Sequence, residues 1–381
     1  GRVLNLRHAC ATALLIFAGC ATDPGKSPDG AFQVPAVQPP EMAVVEEAPE
    51  IARPKEPSPA TSTITNSQLS DTWISLNDWS QGKGYSLAQS TQQPALYALQ
   101  TSNGLFELST DGRAARWEGA ELRLGFPLKM TNGLLWINEM DLRKNIEPLS
   151  SPFPLPIGSK TIVIDAGHGG SSPGTTSVLG LGAEKTYALD WALRLQTLLE
   201  RSGWRVFQTR TNDVDVALSA RVAFANEIGA DLFISLHFNS AAPSREQNGL
   251  ETFCLTPQGM PSTLTRGYED NAGLTFPNNT FDEDNLKFAM TVHRSILKIA
   301  GPADRGVRRA RFMAVLRGQN RPAILVEAGY LSNPKEAEAI ASPQYRQKLA
   351  EAIAAALVSL DTAKQPALPP QTPPRTDIST Q

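Results

Sequence analysis

Downstream of Gly158 the chain alternates between short, continuously apolar runs and longer segments whose apolar residues recur every three or four positions. Residues 161–166 (TIVIDA), 204–208, 231–236 (DLFISL) and 322–326 (PAILV) are runs of the first kind, the pattern of strands covered on both faces of a sheet. Tyr187, Ala188, Trp191, Leu195, Leu198 and Leu199 form a helical stripe, which predicts a helix over 184–201 closed by Gly203. A second helix is expected over 218–228. Ser342 and Pro343 make a cap and first-turn pair for a last helix with Leu349, Ile353, Leu357 and Leu360 on its inner face. Residues 249–255 fit a further strand. This alternation over ~200 residues predicts an α/β domain at 158–361, its sheet mostly parallel or mixed and flanked by helices.

Residues 67–148 have a different texture. Short β-rich runs at 73–76, 96–100, 105–108, 121–124 and 134–137 are separated by Asn103-Gly104, Asp111-Gly112 and Asn132-Gly133, which predicts hairpins in a small β-rich domain. Trp73, Trp79, Trp117 and Trp136 all fall here, where large aromatics are expected to pack its core. The pattern resembles the stalk-type domain of copper amine oxidases and of some cell-wall enzymes, which implies an accessory or wall-binding role.

Proline divides the remainder. Of the 29 prolines, nine lie in residues 21–66 and five in 362–381, so these stretches read as a disordered linker and a disordered tail. Residues 1–20 carry Arg2, Arg7 and His8, an apolar run over 9–17, and then Ala18-Gly19-Cys20, the layout of an export signal. Gly19-Cys20 resembles the lipobox of bacterial lipoprotein signals. That resemblance implies lipidation at Cys20 and a periplasmic protein tethered to the outer membrane; the other reading is an ordinary cleaved signal. The balance of 35 Lys+Arg against 38 Asp+Glu removes nucleic acid from the candidate partners. Three cysteines, Cys10, Cys20 and Cys254, are too few and too scattered for a disulfide framework or a thiolate zinc site, and Cys254 is expected to be buried.

The chemistry gathers at strand ends. His168 follows TIVIDAG, His237 follows DLFISL and Glu327 follows PAILV, and the carboxyl edge of an open α/β sheet is where ligands bind. Glu184 lies in line with Ala188, Trp191 and Leu195, so it should point inward. A buried carboxylate is costly unless it meets a cation or several donors. Two imidazoles converging on it supply a reason, a divalent metal held by His168, Glu184 and His237, with Glu327 as general base beside its water. That donor set is the one expected for catalytic zinc.

These residues lie in segments that carry a resemblance. DAGHGG (165–170), GAEK (182–185), SLHFNS (235–240), GLETF (249–253), DRGV (304–307) and EAGYLSN (327–333) are similar, in order and spacing, to the zinc-dependent N-acetylmuramoyl-L-alanine amidases. The resemblance covers about 159–360. It implies cleavage of the amide between the lactyl group of N-acetylmuramic acid and L-alanine in peptidoglycan, by a chain expected to be monomeric. It also implies His168, Glu184 and His237 as Zn2+ ligands and Glu327 as the catalytic glutamate. Asp165, Asn239 and Glu251 become candidates for orienting ligands or substrate, or for purely local bracing. Phe238 stands where Ala is commoner, and residues 256–304 are longer than in compact members.

Two other readings use the same residues: a non-catalytic peptidoglycan-binding protein on this fold, and a zinc peptidase of the stem peptide. A nucleophilic hydrolase is disfavoured because no G-x-S-x-G elbow occurs, and GHGG is no phosphate loop. His293 fits no motif and reads as structural or surface. Residues 256–284 hold prolines, glycines and Asn278-Asn279, which predicts a substrate-lining loop rather than an inhibitory helix.

Overall fold

Turn chemistry shapes the first described segment. The protein is represented by a computed structural model that describes residues 71–362 except 151, 153 and 268. The export segment with Cys20, the linker at 21–66 and the tail beyond Thr362 lie outside the described residues. The chain begins with Trp73–Ser75 (β1) and Leu76–Lys83 (α1), then Ser86–Gln89 (β2), Leu96–Thr101 (β3), Gly104–Ser109 (β4), Ala114–Trp117 (β5), Ala120–Arg123 (β6), Lys129–Thr131 (β7) and Leu134–Asn138 (β8). Short helices Glu139–Asp141 (α2) and Glu147–Ser150 (α3) flank a π-turn at Leu142–Ile146. Asn132 and Gly133 both have left-handed backbone, φ 52° and 75°, the two-residue turn expected between β7 and β8. Glu118 and Gly119 repeat it between β5 and β6 at φ 51° and 82°, without the Asn-Gly signature that flagged the other. Of the four tryptophans here only Trp117 is buried; Trp73 stays half-buried, edge-on to Phe126 and under Lys129.

The second segment supplies Thr161–Ala166 (β9), Glu184–Arg201 (α4), Arg205–Gln208 (β10), Leu218–Ile228 (α5), Leu232–Asn239 (β11), Leu250–Cys254 (β12), Asp282–Ala300 (α6), Asp304–Arg309 (β13), Ala314–Arg317 (α7), Ala323–Tyr330 (β14), Pro334–Ala341 (α8) and Pro343–Thr362 (α9). It is an α/β fold with a mixed sheet. β10, β9, β11 and β14 are parallel neighbours, and β12 lies antiparallel to β14. Alternation along the strands sorts two cores. Ile162, Ile164, Ile234, Leu236, Ile324 and Val326 join the large cluster under α4, α6 and α9; Val163, Phe233, Phe253 and Leu325 join a smaller one that includes Ala225 of α5 and Leu316 of α7.

The sheet does not stop at the expected boundary between 148 and 158. β13 pairs with β12 on one side and, at Val307 and Leu122, with β6 on the other, so β6 to β2 extend the same ladder to 11 strands. Strand β13 reads DRGVRR and shows no apolar run, which is why pattern alone did not reveal it. Its polar residues are the fasteners. Asp304 Oδ2 accepts from the Glu121 N–H at 2.8 Å, while Oδ1 accepts from Gly306 N–H and faces His293 Nε2. Arg309 is fully buried and donates to the carbonyls of Lys144, Leu255 and Asp282 and to Asn145 Oδ1. A fragment of residues 158–362 leaves this charge without the Lys144 and Asn145 acceptors. Losing two hydrogen bonds to a charged group costs roughly 3–6 kcal/mol, so its thermal midpoint should fall roughly 6–24 °C below that of residues 71–362. Equal midpoints in differential scanning calorimetry would show the two segments to be separable.

Candidate metal centre

The strand periodicity that sorts the core also aims the site. His237 has the parity of Phe233, Glu327 that of Leu325, and Glu251 that of Phe253, so all three lie on the α5 side of the sheet. His237 pairs in register with Glu327, and Glu327 with Glu251, which makes a row across β11, β14 and β12. Both β11 and β14 run past the expected ends, to Asn239 and Tyr330, so His237 and Glu327 sit within strands rather than after them. Rigid ladder backbone therefore positions both.

Glu184 opens α4 and is buried, as its place in the apolar stripe requires. Each of its oxygens meets one backbone N–H and one imidazole nitrogen. Oε1 accepts from Phe238 N–H at 3.1 Å and faces His237 Nδ1 at 2.8 Å; Oε2 accepts from Thr175 N–H at 3.0 Å and faces His168 Nε2 at 3.2 Å. Burial alone would raise this carboxyl, but the two histidines outweigh it and hold Glu184 well below the ordinary carboxylate range. Burial likewise opposes charge on His237, yet the hydrogen bond and charge of Glu184 prevail and raise it.

The ligand atoms of His168, Glu184 and His237 lie within 4.8 Å of one another. Two glycines keep the space around them open. A Cβ on Gly167 would fall 2.3 Å from the His237 ring, and one on Gly174 would fall 2.5 Å from Glu184 Oε2. Beside this cluster Glu327 is buried, and its Oε2 has no hydrogen-bond partner. Burial pushes its carboxyl up to about 7, with Glu184 and Glu251 adding to the rise and His237 and Arg266 opposing it. Converging imidazole and carboxylate donors beside an unpartnered carboxylate oxygen fit a divalent cation with an adjacent proton acceptor.

His168 has left-handed backbone at φ 60°, a conformation costing a non-glycine residue of order 1–3 kcal/mol unless its surroundings enforce it. Two buried arginines, absent from the sequence reading, do so. Arg221 donates to the carbonyls of His168, Ala166 and Val216, and Arg210 to those of Ala166, Gly167, Asn212 and Lys185. Arg221 precedes buried Ala225 by one α5 turn, so the inward-charge signal that singled out Glu184 was present there too. Asp165 lies beneath, paired with Arg221 at 2.5 Å and accepting from Thr209 and Ser235 hydroxyls. It braces the loop and touches none of the three clustered donors directly.

Asn239 and Glu251 form a separate polar group at the other end of the row. Asn239 Nδ2 and the Tyr330 hydroxyl both donate to Glu251 Oε2, while Arg308 and Arg305 face Oε1 at 3.3 and 3.5 Å. His293 is fully buried between Thr252 and Asp304, a structural place rather than a surface one. Cys254 is buried with no second thiol among the described residues. Phe238 packs its ring on Trp191 and Tyr187 while its N–H serves Glu184. No helix interrupts the described residues of 256–276; a 3₁₀ turn, Pro277–Phe281, leads into α6.

The family model described as N-acetylmuramoyl-L-alanine amidase matches residues 162–359, just over half of the chain. The N-acetylmuramoyl-L-alanine amidase AmiC of Escherichia coli O6:H1 is 33% identical over 245 residues, 58% of this chain and 58% of its own length. The sporulation-specific N-acetylmuramoyl-L-alanine amidase of Bacillus subtilis is 34% identical over 192 residues, 50% of this chain and 63% of its own. The chain thus spans less than two thirds of these relatives. Among solved structures, the catalytic domain of CwlV, an N-acetylmuramoyl-L-alanine amidase from Bacillus (Paenibacillus) polymyxa var. colistinus, shares 29% identity, covering 54% of this chain and 99% of that one at a TM-score of 0.45.

Proposed function

The chain belongs to the N-acetylmuramoyl-L-alanine amidase family, and from that premise we propose that it hydrolyses the amide joining the lactyl group of N-acetylmuramic acid to L-alanine in peptidoglycan. The observation that carries the proposal is the convergence of His168, Glu184 and His237 beside Glu327, whose Oε2 is unpartnered. Zinc is the ion we assign, since two imidazoles and one carboxylate are a catalytic zinc set with a coordination position to spare. When bound there it supplies Lewis acidity, lowering the pKa of water from ~15.7 toward ~7 and polarising a carbonyl oxygen.

The chain's own groups perform the proton transfers. Glu327 takes a proton from water as its oxygen adds to the lactyl carbonyl carbon. The same carboxyl returns that proton to the alanine nitrogen as the carbon–nitrogen bond breaks, leaving a muramic acid carboxyl and a free amine. Arg210 and Arg221 hold the His168 loop in its strained form throughout. The substrate is a cell-wall polymer, so this reading carries with it the export expected of residues 1–20.

Mass spectrometry of digested cell wall tests the proposal. Intact stem peptides with a free amino-terminal L-alanine are expected. Shortened stems or free D-alanine would instead establish a stem peptidase, and unchanged wall a binding protein.

A further inference from the structure

A cavity opens at each end of the His237, Glu327, Glu251 row. At the His237 end a space of about 320 Å³ is lined by His168, His237, Asp165 and Arg221. At the Glu251 end one of about 430 Å³ is lined by Asn239, Glu251, Arg266, Arg305 and Tyr330. The two differ in the charge they offer. Arg221 in the first is committed to Asp165 and three backbone carbonyls. In the second, Arg266 donates to Asn239 Oδ1 at 3.1 Å and has no ion pair among the described residues. The rings of Phe253 and Phe312, 5.8 and 5.7 Å from its guanidinium, flank it. Arg305 donates to Gln247 and shares the single carboxylate of Glu251 with Arg308. Cationic charge therefore exceeds anionic charge in this pocket, and Arg266 presents unused N–H donors to it.

Substrate chemistry distinguishes the ends. In a muramoyl peptide the lactyl carboxyl is consumed in the scissile amide and the N-acetyl sugar is uncharged, so carboxylates remain only on the peptide side. Resting on the amidase reading, we propose that the Glu251-end cavity is the peptide subsite, and that Arg266, assisted by Arg305, binds a stem-peptide carboxylate there. The glycan then extends past the His237 end. Asn239 and Glu251 act as positioning residues: Glu251 orients the Asn239 amide, and its oxygen holds Arg266. The guanidinium's planar fork suits a carboxylate, and the flanking rings limit its freedom before substrate arrives.

The test compares two muramoyl peptides that differ only in the second residue, an acidic residue with its carboxylate either free or amidated. Wild-type chain, Arg266→Ala and Arg266→Lys are assayed on both. Wild type should prefer the free carboxylate by about tenfold in KM. Arg266→Ala should raise KM for the free-carboxylate substrate by about tenfold and abolish the preference, while Arg266→Lys restores part of it; because Arg266 also acts on the Glu327 carboxyl, any change in kcat should be the same on both peptides. Equal KM for both peptides in wild type, or an undiminished preference in Arg266→Ala, overturns the assignment. A fall in kcat with KM unchanged also overturns it, since Arg266 would then act only on the catalytic group. Whole-wall digestion by wild type is measured alongside. Failure to release stem peptides there removes the amidase reading and this subsite with it, whereas normal release with no preference removes the subsite alone.

Discussion

Glu327→Gln should lower turnover on purified cell wall by a factor of roughly 10² to 10⁴, the usual scale of general acid–base catalysis, while the chain should bind zinc as wild type does. The reason is geometric. Glu327 is in register with His237 but outside the group of three converging donors, and its Oε2 has no protein partner to lose. The amide is close in shape to the carboxyl it replaces, so the β14 ladder and the packing around it should persist. Thermal midpoint and metal content should therefore match wild type. Turnover and elemental analysis on the same preparation check this, and loss of zinc would move Glu327 from proton carrier to ligand.

Glu184→Ala has the opposite signature. The full chain should purify with clearly less than one zinc, and added zinc should raise its midpoint far less than it raises that of chelator-treated wild type, because only binding to the folded state stabilises by mass action. A second loss is independent of metal. Glu184 accepts the Thr175 and Phe238 N–H groups, and a buried donor left unpaired costs roughly 1–3 kcal/mol. Comparing the variant with metal-free wild type separates the two effects. His168→Ala and His237→Ala should also lose zinc. His293→Ala should keep it while losing stability, since that ring only bridges Thr252 and Asp304. If Glu184→Ala retained zinc and Glu327→Gln lost it, the roles of the two glutamates would be exchanged.

The site was legible where it obeyed a local period. Glu184 could be placed inward by counting turns to Trp191 and Leu195, and the helices at 184–201 and 218–228 match the chain's own α4 and α5. Counting one turn back from Ala225 reaches Arg221, which is likewise buried. Arg210 follows a strand in a polar stretch, and no periodicity reports that three backbone carbonyls of a strained loop and its neighbouring helix face it.

Periodicity determined the α/β class, the buried strands and the main helices, because burial of one stripe or one strand is a local demand that each segment states in its own residues. Turn residues determined the hairpin at Asn132-Gly133 in the same way, through the backbone angles those two residues tolerate. Tertiary structure alone decided the rest. A strand's neighbour is chosen by contacts with residues far along the chain, so the antiparallel place of β12 and the joining of β6 to β13 have no local signature. Strand β13 is the clearest instance: its arginines and aspartate look solvated in sequence, yet Arg309 is fully buried because carbonyls from residues 144, 255 and 282 converge on it. The pocket around Arg266 arises likewise, where a loop with no period of its own meets β11 and the end of β14.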